Sequence, residues 1–379
     1  MPETIEPVTP IVTTNVGGGH SLKQTKVLKR ESGLELLRII AMLLIVVHHV
    51  HLWGGISIAT TWGQKLSELC GAGGKLGVNI FILISAYFMV NKKFKLTRIL
   101  NTVLQATFYS LVIYALFTIF GDVEFTFTGF IYALFAVFYN KWWFVTAYLM
   151  LMLLSPALNI VLHAVDKKTL GLCLLGMASF TILFPYVSKI LTDEIIETPY
   201  FTDIFFFSEL YFIGGYIKLY GLNLKKRWVA LITFVVLCFG LLVTYTGRLG
   251  GWREMGWQQG SLTNFVCAVG LLLIFKDFKF QSRVINTIAS TTFGIYLIHE
   301  NIYMRGWEYA FCRETFFAGV TSSALMFLLL TVTVFVFSAV IDFIRLQTIH
   351  RATNKFLKFV DQKIADRKVA KINDNNNNA

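Results

Sequence analysis

A chain of 379 residues with 55% apolar and only 15% charged positions cannot build a water-facing surface, because soluble proteins average about 25% charged residues. Its mean hydropathy of +0.62 and formal net charge of +12 exclude a disordered chain, a disulfide scaffold and an ordinary soluble enzyme. The apolar positions suffice for roughly ten helices of about 20 residues, so the expected class is an all-α polytopic membrane protein. Residues 1–30 have neither the basic start nor the apolar stretch of a signal peptide and read as a disordered cytoplasmic tail. Ten apolar segments follow, near 34–53, 75–91, 99–120, 142–163, 168–187, 201–220, 228–246, 260–276, 284–303 and 316–343, within one membrane domain over 31–346. A further stretch, 127–139, is too short to cross comfortably and reads as interfacial or re-entrant. Residues 347–379 read as a basic and then Asn-rich cytoplasmic tail, unstructured by composition at its KINDNNNNA end.

Charge placement tests this topology. With the N-terminus inside, 25 of the 34 lysines and arginines fall in inner segments, eight outside, and Arg38 within the first span, as the positive-inside rule requires. Both termini are therefore expected on the cytoplasmic side of a cell membrane, the bacterial cytoplasmic membrane in the simplest case. This distribution argues for membrane lipid as a partner and against nucleic acid. The five cysteines form no CxxC pair, so neither a zinc nor a redox site is expected. Seven of the eight tryptophans fall at or near the outer face. They read as an aromatic belt, with Trp142 and Trp143 the candidates for a sugar-binding rim.

The first span carries the clearest chemistry. Arg38 lies among apolar residues, where an unpaired charge costs at least about 2.5–3.5 kcal/mol. His49 follows 11 positions later, about 20° past three full turns, so both side chains share one stripe, separated along the axis by about 16 Å. Such a stripe suits a long ligand arriving from inside. The bland reading pairs Arg38 with Glu35 and hydrogen-bonds His49 to a neighbouring helix. His48, His49 and His51 diverge on a helix and have no carboxylate or cysteine cluster nearby, so no metal is expected. His299 and Glu300 are the other ionisable pair at membrane depth; a break near Gly294 would let them converge on acceptor or substrate. Glu209 is a weaker candidate, and Asn79, Tyr148 and Asn159 are sources of polar contacts. Lys92, Lys93, Lys95 and Arg98 form a basic inner rim suited to phosphates.

Four strings occur in order: Arg38-x10-His49; Lys-Leu-Gly-Val-Asn-Ile-Phe-Ile-Leu-Ile-Ser-Ala-Tyr-Phe (75–88); Trp-Phe-Val-Thr-Ala-Tyr-Leu with Ser-Pro-Ala-Leu-Asn (143–159); and Phe-Gly-Ile-Tyr-Leu-Ile-His-Glu (293–300). Together they resemble the acyltransferase-3 family of integral-membrane acyltransferases, over about 30–350. The resemblance implies His49 as catalytic base and Arg38 as an essential residue near the acyl donor. The family's Arg-x-x-Arg corresponds to Lys95-Leu-Thr-Arg98, where Lys95 departs from the pattern and lacks arginine's bidentate fork. Ser85-Ala86-Tyr87 likewise departs from the usual Ser-Gly-aromatic. The implied activity is O-acyl transfer, from cytoplasmic acetyl-CoA or a similar acyl-CoA to a hydroxyl of a surface polysaccharide or its lipid-linked precursor. The alternative from another class is a transporter or flippase without acyl-transfer chemistry. It would predict internal repeats or paired broken helices, and neither is visible.

Overall fold

The computed structural model describes residues 31–55, 68–192, 203–246 and 258–377; the amino-terminal tail expected over 1–30 lies outside them. Among the described residues every regular element is helical. In chain order they are α1 (Ser32–Trp53), α2 (Gly73–Met89), α3 (Leu96–Ile119), α4 (Phe127–Leu134), α5 (Trp143–Ala164) and α6 (Lys167–Thr192). Then follow α7 (Asp203–Tyr220), α8 (Lys226–Thr246), α9 (Leu262–Phe275), α10 (Arg283–His299), α11 (Trp307–Phe311) and α12 (Ser323–Asn377). Helices are what long apolar runs must form where no water can satisfy the backbone. Polar side chains mark several starts: Asp166 accepts from the amides of Lys168 and Thr169 at 3.0 Å each, and Thr126, Ser261 and Ser282 cap α4, α9 and α10.

Among the described residues seven helices are long and apolar enough to cross a membrane: α1, α2 with the turn before it, α3, α5, α6, α8 and α12. Helices also stand at the other three predicted spans, but α9 has 14 residues and α10 has 17, and α7 carries Asp203, Glu209 and Lys218 within its 18. The 127–139 stretch forms only the eight residues of α4 and then turns. Tyr114 pins it to α3, accepting from the Thr126 amide at 2.9 Å and donating to its carbonyl at 3.0 Å. The carboxyl-terminal segment departs from the expectation that its end is unstructured, because α12 continues as helix to Asn377. Propagating a helix adds one bond per residue fixed, whereas starting one is unfavourable, so a nucleated span carries this polar sequence onward. Thr97 helps by donating to Asp361 at 3.0 Å.

At the centre, α1 packs against α2 and α10, with α7, α9 and α12 around them. By contrast α6 and α8 turn Leu172, Leu175, Phe234 and Phe239 outward, a continuous apolar exterior of the kind that marks a membrane surface. The α1–α10 pair runs parallel and in register. At one end the Ser32 amide donates to the Phe280 carbonyl at 2.9 Å, and the Ser32 hydroxyl accepts from the Ser282 amide at 2.8 Å. Seventeen positions further along both helices, His49 meets His299, about 26 Å away along the axes. Gly33 permits the close approach at the start, since a Cβ there would meet the backbone oxygens of Phe275 and Phe278. Gly33→Ala is therefore expected to lower stability by about 1–3 kcal/mol. Gly176→Ala, where a Cβ meets nothing within 4 Å, should be neutral or stabilising by up to about 1 kcal/mol. Thermal unfolding of both variants in detergent checks the contrast.

Candidate functional site

The far ends of α1 and α10 build a buried chain of ionisable groups. His49 turns Nδ1 to Nε2 of His299 at 2.8 Å, and Nε2 to Oε2 of Glu300 at 3.3 Å. His299 Nδ1 in turn meets the Ile295 carbonyl one turn back on its own helix. Glu300 ends α10 as its C-cap, and its other carboxyl oxygen pairs with Arg305, whose guanidinium lies over the Trp53 ring, 5.5 Å from its centroid. For neutral imidazoles these contacts have one consistent polarity. A carbonyl only accepts, so His299 Nδ1–H donates and His299 Nε2 accepts from His49 Nδ1–H. The lone pair is then on His49 Nε2, facing Glu300. A histidine so arranged can receive a proton at Nε2 while its other nitrogen stays fixed.

His49, His299 and Glu300 also place ligand-type atoms within 4.8 Å of one another. A chelate needs donors aimed at one point. Here His49 gives different nitrogens to its two partners, and an ion would have to replace the proton between the imidazoles. Of these contacts the His49–His299 pair is a hydrogen bond, whereas Oε2 of Glu300 faces His49 Nε2 at ion-pair distance without one.

The predicted residues separate into two places. Arg38 is buried nearer the opposite, basic end of α1, paired with Glu35 and 6.0 Å from the Phe88 ring centroid. Lys95 and Arg98 line a pocket of about 260 Å³ at that end, together with Lys92, Ser155, Pro156 and Asn159. Arg98 donates to the Lys93 carbonyl at 3.1 Å. Between the two ends stands a line of packed side chains. Tyr148 donates to Ser85 at 3.2 Å and stacks on Phe144 at 5.8 Å; Phe144 meets Tyr296 at 5.4 Å, and Tyr296 lies 6.4 Å from the His49 ring.

Three expectations are corrected. Trp142 is 1% exposed and stands inside the core at the N-cap position of α5, with no side-chain cap bond, rather than at an outer rim. Trp143 is half-buried, covered by Lys75 at 4.2 Å and packed on Phe144 and Phe207. Gly294 does not break α10, which runs unbroken to His299. Its missing Cβ instead makes room for Asp342 of α12, and His299 and Glu300 converge because the helix stops between them. His48 points elsewhere, with Nδ1 on the Gly71 carbonyl. Glu209 accepts from Thr181 at 3.1 Å, away from His49's partners; Asn79 pairs with Gln259 and Asn159 with Met89 and Tyr211. Sequence reasoning missed Arg305, whose only signal is a basic residue five positions beyond Glu300 on the side where basic residues are scarce.

The Glu35–Arg38 pair makes a stability prediction separable from chemistry. Removing one partner of a buried pair leaves the other charge uncompensated, at about 3–5 kcal/mol. Glu35→Ala should therefore lower the unfolding midpoint sharply, whereas Glu35→Leu with Arg38→Leu should recover most of the loss; thermal melts of the two proteins read the difference.

Comparison with curated proteins gives no match, and neither does comparison with solved structures. A family model described as an acyltransferase domain, that of acyltransferase-3, matches residues 31–343, most of the chain and every helix that holds the site. With seven helices among the described residues fit to cross a membrane, this chain belongs to the acyltransferase-3 family and is a multi-pass membrane acyltransferase.

Proposed function

We propose that the protein moves an acyl group, acetyl in the simplest case, from acyl-CoA on the cytoplasmic side to a hydroxyl of a surface carbohydrate or its lipid-linked precursor. The observation that carries this reading is His49, held at Nδ1 by His299 with its Nε2 lone pair facing Glu300, at the opposite end of a buried stripe from a basic pocket. The ten predicted helical segments cross the membrane with both termini inside, which places the pocket of Lys95 and Arg98 on the cytoplasmic face. There the phosphates of coenzyme A meet Lys92, Lys95 and Arg98, and the acyl arm extends past Arg38 toward His49.

The step follows from these placements. The acceptor hydroxyl gives its proton to His49 Nε2 as its oxygen attacks the thioester carbonyl carbon. The new C–O bond forms, the C–S bond breaks, and the imidazolium returns the proton to the leaving sulfur. Glu300, across from Nε2, favours the imidazolium, and Arg305 keeps that carboxylate in place. The base needs no metal in this scheme, so dialysis against a chelator should leave transfer unchanged.

His49→Ala should reduce transfer by about 10²–10⁴-fold at equal expression and folding, and His48→Ala should be mild. NMR of the surface polysaccharide from cells carrying each variant reads the outcome, and normal acylation with His49→Ala refutes the assignment. Arg98→Ala should weaken acetyl-CoA binding by about 10- to 150-fold, one charge-assisted hydrogen bond being worth about 1.5–3 kcal/mol. Calorimetry on folded, solubilised protein checks it; added salt should weaken the wild-type interaction as well.

A further inference from the structure

Between the end of α10 and the start of α12 several buried polar side-chain atoms have no hydrogen-bond partner. Glu308, in α11, is 2% exposed, and neither of its carboxyl oxygens has a hydrogen-bond partner among the described residues. The neighbouring Tyr309 is fully buried and its hydroxyl is also unpartnered, as is Nε of Arg305. Each such group costs about 1–3 kcal/mol when nothing satisfies it, and protein interiors hold few of them. These three are gathered in one place. The Tyr309 hydroxyl lies within electrostatic reach of Glu308, Glu300 and Arg305, and Glu300 is 3.3 Å from Nε2 of His49. The unsatisfied set therefore adjoins the base.

Its chemistry narrows the ligand. Glu308 stands in α11, outside the membrane-spanning helices, and burial pushes its carboxyl up to about 8, so at neutral pH it mostly keeps its proton. A carboxylic acid, a phenol and a guanidinium N–H together offer hydrogen-bond donors and acceptors within one small region. A ring with adjacent hydroxyls matches such a mixed set. An apolar ligand would leave every one of the three groups unsatisfied. Beside them Trp307 is 42% exposed and stacked on Phe311, with 5.2 Å between ring centroids and planes 5° apart. Phe117 meets the same indole edge-on, 5.4 Å between ring centroids.

We propose that Arg305, Glu308 and Tyr309 form the acceptor subsite, binding the hydroxyls of a sugar ring so that one further hydroxyl reaches Nε2 of His49, with Trp307 at its outer edge. This rests on the reading of His49 as the base for acyl transfer to a carbohydrate.

The test uses full-length protein in lipid nanodiscs, radiolabelled acetyl-CoA as donor, and surface polysaccharide extracted from cells lacking the gene as acceptor. Tyr309→Phe and Glu308→Gln should each raise the acceptor KM by about 2- to 12-fold, the loss of one neutral hydrogen bond, with the KM for acetyl-CoA unchanged. Wild-type acceptor KM in both variants overturns the subsite and leaves the role of His49 standing. Wild-type protein that binds acetyl-CoA but transfers nothing to this polysaccharide overturns the functional reading, and the subsite with it. A measurement on unmutated protein covers variants that do not fold. Dicyclohexylcarbodiimide attacks protonated carboxyls in apolar surroundings, and mass spectrometry reads its addition to Glu308. The polysaccharide should protect Glu308; equal labelling with and without it counts against the subsite.

Discussion

The parallel, in-register packing of α1 on α10 is the constraint on which the site depends. The two helices are separated by about 250 residues of chain, yet Ser32 against Ser282 and His49 against His299 keep the same offset at both ends. A slip of one residue would rotate either histidine by about 100° and part them. The link is made by groups that leave no slack: backbone amides, a serine hydroxyl and a glycine too close to its neighbour to carry a Cβ. Polar pairing between helices carries the specificity here, because lipid gives apolar faces no reason to prefer one neighbour over another.

A second polar lock holds the same helix from its other side. Asp342 of α12 accepts from Tyr109 of α3 and from Arg345 Nε, both at 2.6 Å, and sits in the space left by Gly294 of α10. Buried ion pairs add little net stability over well-packed apolar replacements, so stability is a poor account of this one. What it does is join α3, α10 and α12 at a fixed height, five residues before His299. Together the two locks leave α10 little freedom to slide, and the His49–His299 contact is their shared result.

How much of this was legible in the sequence follows from which interactions are local. Arg38 and His49 share a stripe because 11 positions nearly close three turns, and both are indeed buried on α1. Local charge also marked the basic end, where Lys95 and Arg98 line the pocket. His299 and Glu300 were visible as ionisable residues in an apolar run, but their meeting with His49 was not, since it is set by contacts far apart in sequence. The tryptophan pattern gives depth along the membrane axis but not which way an indole faces, and Trp142 turned inward. Composition undervalued the end of α12 because it scores each residue alone, while a helix extends from its nucleus. Arg305, Glu308 and Tyr309 fall in a connecting segment without periodicity, and nothing in their spacing announced them.

The proposed chemistry has its donor pocket and its base at opposite ends of the bundle, and that separation calls for a physical account. The side chains between them, Ser85, Tyr148, Phe144 and Tyr296, pack on one another along the line an acyl arm would take. Closure has a use, since a thioester kept from water until the acceptor is in place is protected from hydrolysis. It also has a requirement: binding of the donor must supply the free energy to open the path. The contacts along the line are of the weak kind. The Tyr148–Ser85 hydrogen bond is neutral and worth about 0.5–1.5 kcal/mol, and an aromatic pair adds about 0.5–1.5 kcal/mol beyond its buried area. The hydrogen bond and the two aromatic pairs together come to about 1.5–4.5 kcal/mol, the scale of two phosphate contacts at the basic rim at about 1.5–3 kcal/mol each. The stronger ionic contacts, Glu35–Arg38 and Asp342–Arg345, are absent from that line, so the residues that must yield are held by interactions a bound donor can overcome, and the residues that fix the helices are not.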